Sequence, residues 1–447
     1  MATIVPHFSI LVPAYNVADY ISDCLESVIS QTFTDFEVIV VDDGSTDQTA
    51  EIVQNLQSKD ARIRLIRLTH NSGRHVARKT AVDSSTGTYT LFLDADDAIE
   101  PHLLELLDFV SKKHDADMIR YGLSVIPGTD QDKKWAFDYE AMFNSADGEL
   151  HGDDILKASF SFDFKQWVSW NIHTTMYRSD IVKSSFKEMP AERLNKLEDA
   201  YEYLVLCSRA RTLYPITELR GLQYHIGRGI SGRARYSIDK FMQDQRSVHD
   251  VVLAAQRFSN TQHVPAIQTA TNWLSTRAVS IIQDDFQERL APEECESALQ
   301  SIAQTWNKET ACQILCNCLE SRVWWFCNMN SYPADNDPVI YWKIAFSHMM
   351  DSVSFKDVFI SNKELQKQAA HIYEALSELD RRIAEKNQEN SAREEAYKQA
   401  IIDENKQAII EEYKQTTLPY RITNALLPNE TRRRRIFNHL INKQNNQ

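Results

Sequence analysis

The sequence predicts an α/β chain: a mostly parallel sheet with helices on both faces, followed by an α-helical C-terminal region. Three observations carry this. Residues 8–12, 36–41, 63–68 and 89–93 are short apolar runs rich in Val, Ile, Leu and Phe that do not alternate with polar residues, as strands buried on both faces do. Between them lie segments with helical spacing, such as Ile21, Leu25, Val28 and Ile29, or Ile52, Val53 and Leu56. Residues 238–360 read helical throughout, with few Gly or Pro. Strand–helix–strand repetition of this kind implies a parallel, helix-covered sheet.

Taken in order, each run ends in polar, turn-forming residues. The first leads into Val12-Pro13-Ala14-Tyr15-Asn16, where Asn16 is placed to cap the first helix. The second leads into Val41-Asp42-Asp43-Gly44-Ser45-Thr46-Asp47, in which Ser45 and Gln48 have capping-box spacing. The fourth ends in Leu93-Asp94-Ala95-Asp96-Asp97, and Pro101 stands where the next helix is expected to begin. From 122 to 235 the pattern loosens. Pro127-Gly128-Thr129-Asp130 is a turn, Trp135, Phe137, Trp167 and Trp170 make the stretch aromatic, and residues 194–213 read as one helix. Gly221, Gly227, Gly229 and Gly232 then suggest a glycine-rich, basic loop.

The expected organisation is a domain over 1–235, with halves at 1–121 and 122–235, a helical domain over 236–360, and a long helical segment over 361–447. Leu365, Ala369, Ile372, Leu376, Leu379 and Ile383 step by four and three. That coiled-coil-like seam fits a homodimer or, since it fails at Lys386 and Asn390, a solvated single helix.

At 447 residues the chain is too long for one ordinary core, and 43% apolar with 25% charged residues is a common globular composition. A net charge of −14 argues against nucleic acid as the main partner. The charge is uneven: residues 417–447 carry +5 and the remainder −19. No run reaches the roughly 18–20 apolar residues of a membrane span, and residues 1–7 lack the charged start and apolar core of a secretion signal. Seven cysteines, an odd number, fit a reducing cytoplasm. Cys312, Cys316, Cys318 and Cys327 lack paired C-x-x-C spacing, so core thiols are expected rather than zinc ligands.

The most informative stretch is Asp94-Ala95-Asp96-Asp97. Carboxylates this close are costly without a counter-ion, so a strand ending in them suits a divalent cation. Three strand ends converging on acidic and turn-forming residues describe one binding edge of an α/β sheet.

Seven pieces together resemble the inverting family-2 glycosyltransferases, whose nucleotide-sugar domain has the GT-A fold. They are Pro13-Ala14-Tyr15-Asn16, Gln31-Thr32-Phe33, Asp42-Asp43-Gly44-Ser45-Thr46-Asp47, Asn71-Ser72-Gly73 with Ala77-Arg78, Gly87-Thr88-Tyr89, Leu93-Asp94-Ala95-Asp96-Asp97 and Glu198-Asp199. The resemblance implies metal-dependent transfer of a sugar from a nucleotide-diphosphate sugar, a uridine one being the commonest in relatives. It implies Mn2+ or Mg2+ as cofactor and a glycan or polyprenyl-linked saccharide as acceptor. Asp96 would ligate the metal directly, and Asp94 would contact the ribose or a metal-bound water. Asp97 is equally read as a helix cap. Asp43 would accept from the base ring, Tyr15 would offer its aromatic face, and Pro13 would shape that pocket. Arg78 would lie near the diphosphate, with a surface ion pair as the alternative. Asp199, at a helix start whose dipole favours the ionised form, would be the general base. His225, beside Tyr224, would be a further metal ligand, and Arg228 in Arg228-Gly229-Ile230-Ser231-Gly232 would contact phosphate. Two departures stand out: Lys79-Thr80 where relatives usually have Asn-Gly, and Arg74-His75, which promise a more basic wall beside the diphosphate.

Arg432-Arg433-Arg434-Arg435, followed by Ile436-Phe437, Leu440-Ile441 and Lys443, suits an anionic membrane face. Residues 420–447 are therefore a candidate peripheral membrane contact, with a solvated terminus as the alternative, and the protein is expected in the cytoplasm. One rival reading is a non-catalytic nucleotide-sugar-binding or scaffold protein acting through its helical half. A phosphoryl-transfer or receiver-type domain would want its acidic pair on the first strand, not the second. A nucleotidyltransferase would want a glycine-rich basic loop where Pro13-Ala14-Tyr15-Asn16 stands.

Overall fold

The computed structural model describes residues 5–129, 133–161, 164, 166–228 and 235–423. The first part alternates as expected: β1 (Phe8–Ala14), α1 (Ile21–Ile29), β2 (Phe36–Asp42), α2 (Thr49–Gln57), β3 (Ile63–Arg67), α3 (Arg74–Ser84) and β4 (Tyr89–Phe92). Then follow β5 (Ala98–Ile99), α4 (Leu103–Lys113), β6 (Met118–Ile126), α5 (Lys133–Phe143), β7 (Leu150–His151), α6 (Asp153–Ser159), β8 (Thr175–Arg178), α7 (Ser179–Glu188), α8 (Glu198–Arg209) and β9 (Thr212–His225). The rest is helical: α9 (Ile238–Gln262), α10 (Pro265–Glu288), α11 (Cys295–Thr305), α12 (Lys308–Asn328), α13 (Pro338–Asp351), α14 (Val353–Ser361) and α15 (Lys363–Thr423).

The strands form one sheet in the order β3-β2-β1-β4-β8-β6-β9-β5, with β7 also on β9. β1, β2, β3 and β4 are parallel, and β1 and β2 are buried at every residue, which is why their sequences run apolar without alternating. β8 enters antiparallel between β4 and β6. β6 and β9 run parallel with register shifts around Gly122, where an added Cβ would lie 2.1 Å from the Thr217 carbonyl oxygen. Only glycine permits that approach.

Several local expectations are corrected. Residues 194–213 are not one helix: the helix is Glu198–Arg209, and Leu213 already belongs to β9. Gly221 likewise lies in β9 rather than in a loop, while Gly229 and Gly232 fall outside the described residues. α1 starts after Tyr20, not Asn16, and α2 starts after Gln48 without a capping box. Asn16 and Ser45 instead join two loops. Asn16 Oδ1 accepts from the Thr46 N–H at 2.8 Å, Ser45 Oγ accepts from the Asn16 N–H at 3.0 Å, and Asp47 accepts from the Ala18 N–H at 3.1 Å. A short polar side chain in a strand–helix loop has caps and neighbouring loops as competing partners, and here the neighbour prevails. Pro101 precedes α4 by two residues, and its carbonyl accepts from the Thr32 N–H at 3.1 Å.

The described residues divide into two compact units, one running up to Arg322 and including Pro333–Ile372, the other comprising Val323–Tyr332 and the residues from Tyr373 on. The seam expected for a dimer is taken up by the chain's own packing. Leu365, Ala369 and Ile372 in the first unit are at most 2% exposed, and Leu376 and Leu379 in the second at most 6%. This corrects the homodimer expectation: the stripe is not free for a second copy. From 384 to 412 every α15 side chain is exposed. Cys312, Cys316 and Cys318 are fully buried, and Cys312 Sγ lies 3.4 Å from Met349 Sδ, as core thiols do. Among the described residues no helix is long and apolar enough to cross a membrane. The basic tail, Arg432 to Lys443, lies outside the described residues.

Candidate active site

The parallel strands deliver their C-terminal ends to one edge, and the turn after β4 gathers Asp94, Asp96 and Asp97 there. One ligand atom from each lies within 4.8 Å of the others, the only such cluster of His, Cys, Asp or Glu among the described residues. The turn is closed by the Asp97 N–H donating to the Asp94 carbonyl at 3.1 Å. Asp97 is no helix cap: its Oδ1 accepts from the His225 N–H at 2.8 Å, tying the turn to the end of β9.

The three carboxyls differ electrostatically. Burial opposes ionisation of Asp94, but His173 and then Arg74 outweigh it and hold the group well below the usual carboxylate range. Burial, then the Asp94 charge, pushes Asp96 up, and burial with both neighbours pushes Asp97 well up. Crowded, partly buried oxygen donors in this state are the donor set a hard divalent cation satisfies, so the residues fit a metal.

Behind the cluster stands Arg78, fully buried on α3. Its Nη2 donates to Asp94 Oδ1 at 3.2 Å, and its Nη1 to Glu202 at 2.9 Å and Glu198 at 3.3 Å. Arg78 therefore lies beneath the carboxylates, with no exposed guanidinium face. The expected basic wall is also consumed. Arg74 pairs with Glu198 at 3.1 Å, and His75 Nδ1 with Glu202 at 2.7 Å. Only tertiary structure pairs these cations, because their partners lie more than a hundred residues away on α8.

Asp199 sits in the first turn of α8, after Leu197 in the left-handed conformation at φ 68°. Burial, then the adjacent Glu198 charge, raises its carboxyl to about 6, with Arg78 and His173 pulling the other way. A carboxyl poised there is ionised at neutral pH yet far more basic than an ordinary aspartate.

Asp43 is engaged by its own chain: its Oδ1 accepts from the Ser72 N–H at 2.7 Å and its Oδ2 from the Gly73 N–H at 2.8 Å. It shapes the 71–73 loop, and burial raises its pKa despite both donors. Gly44 beside it has φ 74°, and a Cβ there would lie 2.7 Å from the His70 carbonyl carbon. Tyr15 leaves β1 43% exposed and Pro13 is buried within the strand. Arg228 lies over the Tyr20 ring at 5.3 Å. His225 Nδ1 is 3.8 Å from Asp97 Oδ1 and is buried without a hydrogen-bond partner. Burial, then Arg228, lowers its pKa, favouring the neutral ring a metal requires.

Sequence reasoning missed His173. It lies in a short 3-10 turn, Ile172–Thr174, with Nε2 3.1 Å from Asp94 Oδ1 and Nδ1 2.9 Å from Asn171 Oδ1. The Tyr121 hydroxyl donates to its carbonyl at 2.7 Å. A lone His in Trp170-Asn171-Ile172-His173 carries no spacing signal. Also missed was the stack of Trp135, Tyr139 and Tyr224, with ring centroids 4.5 and 5.7 Å apart, whose repeat of four on α5 was legible only as aromatic content.

Residues 9–176 match the family described as Glycosyl transferase family 2. The putative teichuronic acid biosynthesis glycosyltransferase TuaG of Bacillus subtilis is 38% identical over 154 residues, covering 34% of this chain and 58% of that protein. The uncharacterized glycosyltransferase YibD of Escherichia coli is 30% identical over 204 residues, 45% of this chain and 58% of that protein. Among solved structures, S. aureus TarS 1-349 in complex with UDP is 21% identical at a TM-score of 0.48, covering 77% of this chain and 92% of that one. The chain thus spans under two thirds of the length of these two curated relatives. Its matched segment holds β1 to β4 and the carboxylate cluster, and over that segment the chain is similar to glycosyltransferase family 2.

Proposed function

We propose that this protein transfers a sugar from a nucleotide-diphosphate sugar, a uridine diphosphate sugar by family resemblance, to a hydroxyl of a glycan or lipid-linked glycan, with inversion at the anomeric carbon. The observation that carries the proposal is one buried cation, Arg78, holding both Asp94 of the carboxylate cluster and Glu198, next to the poised Asp199. Asp199 takes the proton of the acceptor hydroxyl as that oxygen attacks, and the nucleoside diphosphate departs from the opposite face. Asp96, with Asp94 or Asp97 and His225, would hold Mn2+ or Mg2+. When bound, that ion supplies neutralisation of charge on the leaving diphosphate. Tyr15 is open to stack on the base, Asp43 fixes the 71–73 loop, and Arg228, whose charge is felt at Asp97, would contact the diphosphate.

The teichuronic acid and chondroitin synthase names borne by relatives are consistent with an envelope or capsule polysaccharide as acceptor. Residues 420–447 would then hold the enzyme to the anionic cytoplasmic face, and their deletion should abolish sedimentation with anionic vesicles. The decisive test is calorimetry with UDP, GDP, CDP and dTDP, with and without Mn2+, on the wild type and Asp96→Ala. The expected result is metal-dependent binding of one nucleotide, lost in the variant. Binding of none would favour the scaffold reading, and a product with retained anomeric configuration would refute inversion.

A further inference from the structure

Asp199 stands two residues beyond a strained one. Leu197 bounds α8 at φ 68°, a left-handed conformation that a branched side chain seldom adopts, and no side chain caps the helix there. Such a residue persists only where its surroundings over-determine it. After it in the chain, Glu198 is fixed by Arg74 and Arg78. Before it, the holder is Lys196, whose ammonium reaches into the helical region. Lys196 pairs with Asp285 of α10 and lies 3.5 Å from Asp244 of α9, and the three side chains are at most 15% exposed. Burial opposes the ammonium charge, but Asp285 and Asp244 outweigh it.

The backbone is fastened at the same place. Ser247 Oγ of α9 accepts from the Asn195 N–H at 2.9 Å and from the Lys196 N–H at 3.1 Å. The loop also meets the start of α3, where Asn195 Oδ1 accepts from the Arg74 N–H at 3.2 Å and the Leu194 carbonyl from the His75 N–H at 3.3 Å. A buried ion pair adds little net stability over an apolar contact of the same shape, and its best-attested use is to fix one arrangement among several. What is fixed here is the approach to the candidate base, and it is fixed by α9 and α10, which lie outside the 9–176 segment.

We infer that Lys196 is a positioning residue: clamped by Asp244 and Asp285, it holds the strained turn at Leu197 and so places the Asp199 carboxylate, on the reading that Asp199 is the base of the proposed transfer. Helices α9 and α10 thereby become part of the framework of the active site.

The test uses the full chain and reads hydrogen exchange over residues 193–200 by mass spectrometry. It also reads nucleotide release from UDP-glucose and UDP-N-acetylglucosamine with Mn2+, and UDP binding by calorimetry. Lys196→Met removes the charge and keeps an unbranched side chain of similar reach. Lys240 and Arg289 still pair with Asp244 and Asp285, so neither carboxylate is stranded. Exchange over 193–200 should rise about tenfold or more. The kcat should fall about tenfold or more, with donor KM and UDP Kd within about twofold of the wild type. Lys196→Arg, which restores the pairing, should recover most of the rate. Ser247→Ala leaves every charge in place and should move exchange and kcat in the same directions by a smaller factor, and it serves should Lys196→Met fail to fold. Unchanged exchange or unchanged kcat in Lys196→Met would overturn the inference, as would UDP affinity falling in step with kcat, the mark of general unfolding. A wild type that turns over neither sugar nucleotide counts against the transferase reading for those donors alone, and the exchange over 193–200 still decides whether Lys196 holds the loop.

Discussion

Asp199 should make the protein less stable than it would be without its charge. Its carboxyl stands at about 6 against an ordinary 3.8, because burial and the Glu198 charge oppose ionisation. The folded state therefore binds more protons than the unfolded chain between those values, and stability falls as pH rises through them. The penalty is small below about pH 3.8, roughly half developed at pH 5, and levels off at about 3 kcal/mol above pH 7. Asp199→Asn removes the charge while keeping the shape. It should be more stable than the wild type by up to about 3 kcal/mol at pH 7.5 and by about half that at pH 5, as measured by the shift in denaturant midpoint at unchanged m. The same variant should lose at least about a thousandfold in transferase rate. Wild-type kcat/KM should fall about tenfold per pH unit below pH 6. Equal stability of the two proteins at pH 7.5, or a difference that does not shrink on acidification, would refute the reasoning.

Asp96→Asn relieves a like-charge contact with Asp94, so the metal-free variant should unfold at a temperature equal to or above the wild type, while Mn2+ should raise the midpoint of the wild type alone. At a hundredfold excess over Kd, Mn2+ is worth about 2.7 kcal/mol. Arg78→Met strands Asp94, Glu198 and Glu202 without their shared cation. The loss should be about 3–5 kcal/mol by denaturant titration, and Arg78→Lys should recover only part of it because an ammonium cannot span three carboxylates. Gly44→Ala places a Cβ 2.7 Å from the His70 backbone at φ 74°. It should cost about 2 kcal/mol or more and weaken nucleotide binding through Asp43, both measurable on one preparation.

What the sequence made legible is what local pattern determines. The apolar runs located β1 to β4 within a residue or two; β1 and β2, buried at every residue, have no other composition available, while edge strand β3 exposes Arg64 and Arg67. The cluster of Asp94, Asp96 and Asp97 was legible because three carboxylates at one strand end are unusual, whereas Asp199, in a commonplace acidic helix start, was singled out only by the family resemblance. Illegible was whatever depends on a distant partner. Asn16 and Ser45 carry perfectly good capping signals, and nothing local says that each other's loop is nearer than the helix end. Arg74 and His75 look like free cations until α8 brings Glu198 and Glu202 against them. The seam from Leu365 to Leu379 has dimer spacing, yet spacing cannot distinguish a partner chain from the chain itself.

The buried charges around Arg78 solve a problem specific to the proposed reaction. The candidate donor carboxylate Asp94 comes from the turn after β4, and the candidate base Asp199 from the start of α8, over a hundred residues later. Two such segments could drift relative to each other, and misplacement by an ångström is costly in catalysis. Hydrophobic packing alone would set their separation loosely. A planar guanidinium with fixed donor directions sets it tightly, provided it is dry, and Arg78 is dry and bonded to both segments. Arg78 adds to the lowering of Asp94 by His173 and Arg74, and on Asp199 it works against burial and the Glu198 charge. One side chain thus fixes the spacing of the two carboxylates while leaving one ionised for a cation and the other basic enough to take a proton.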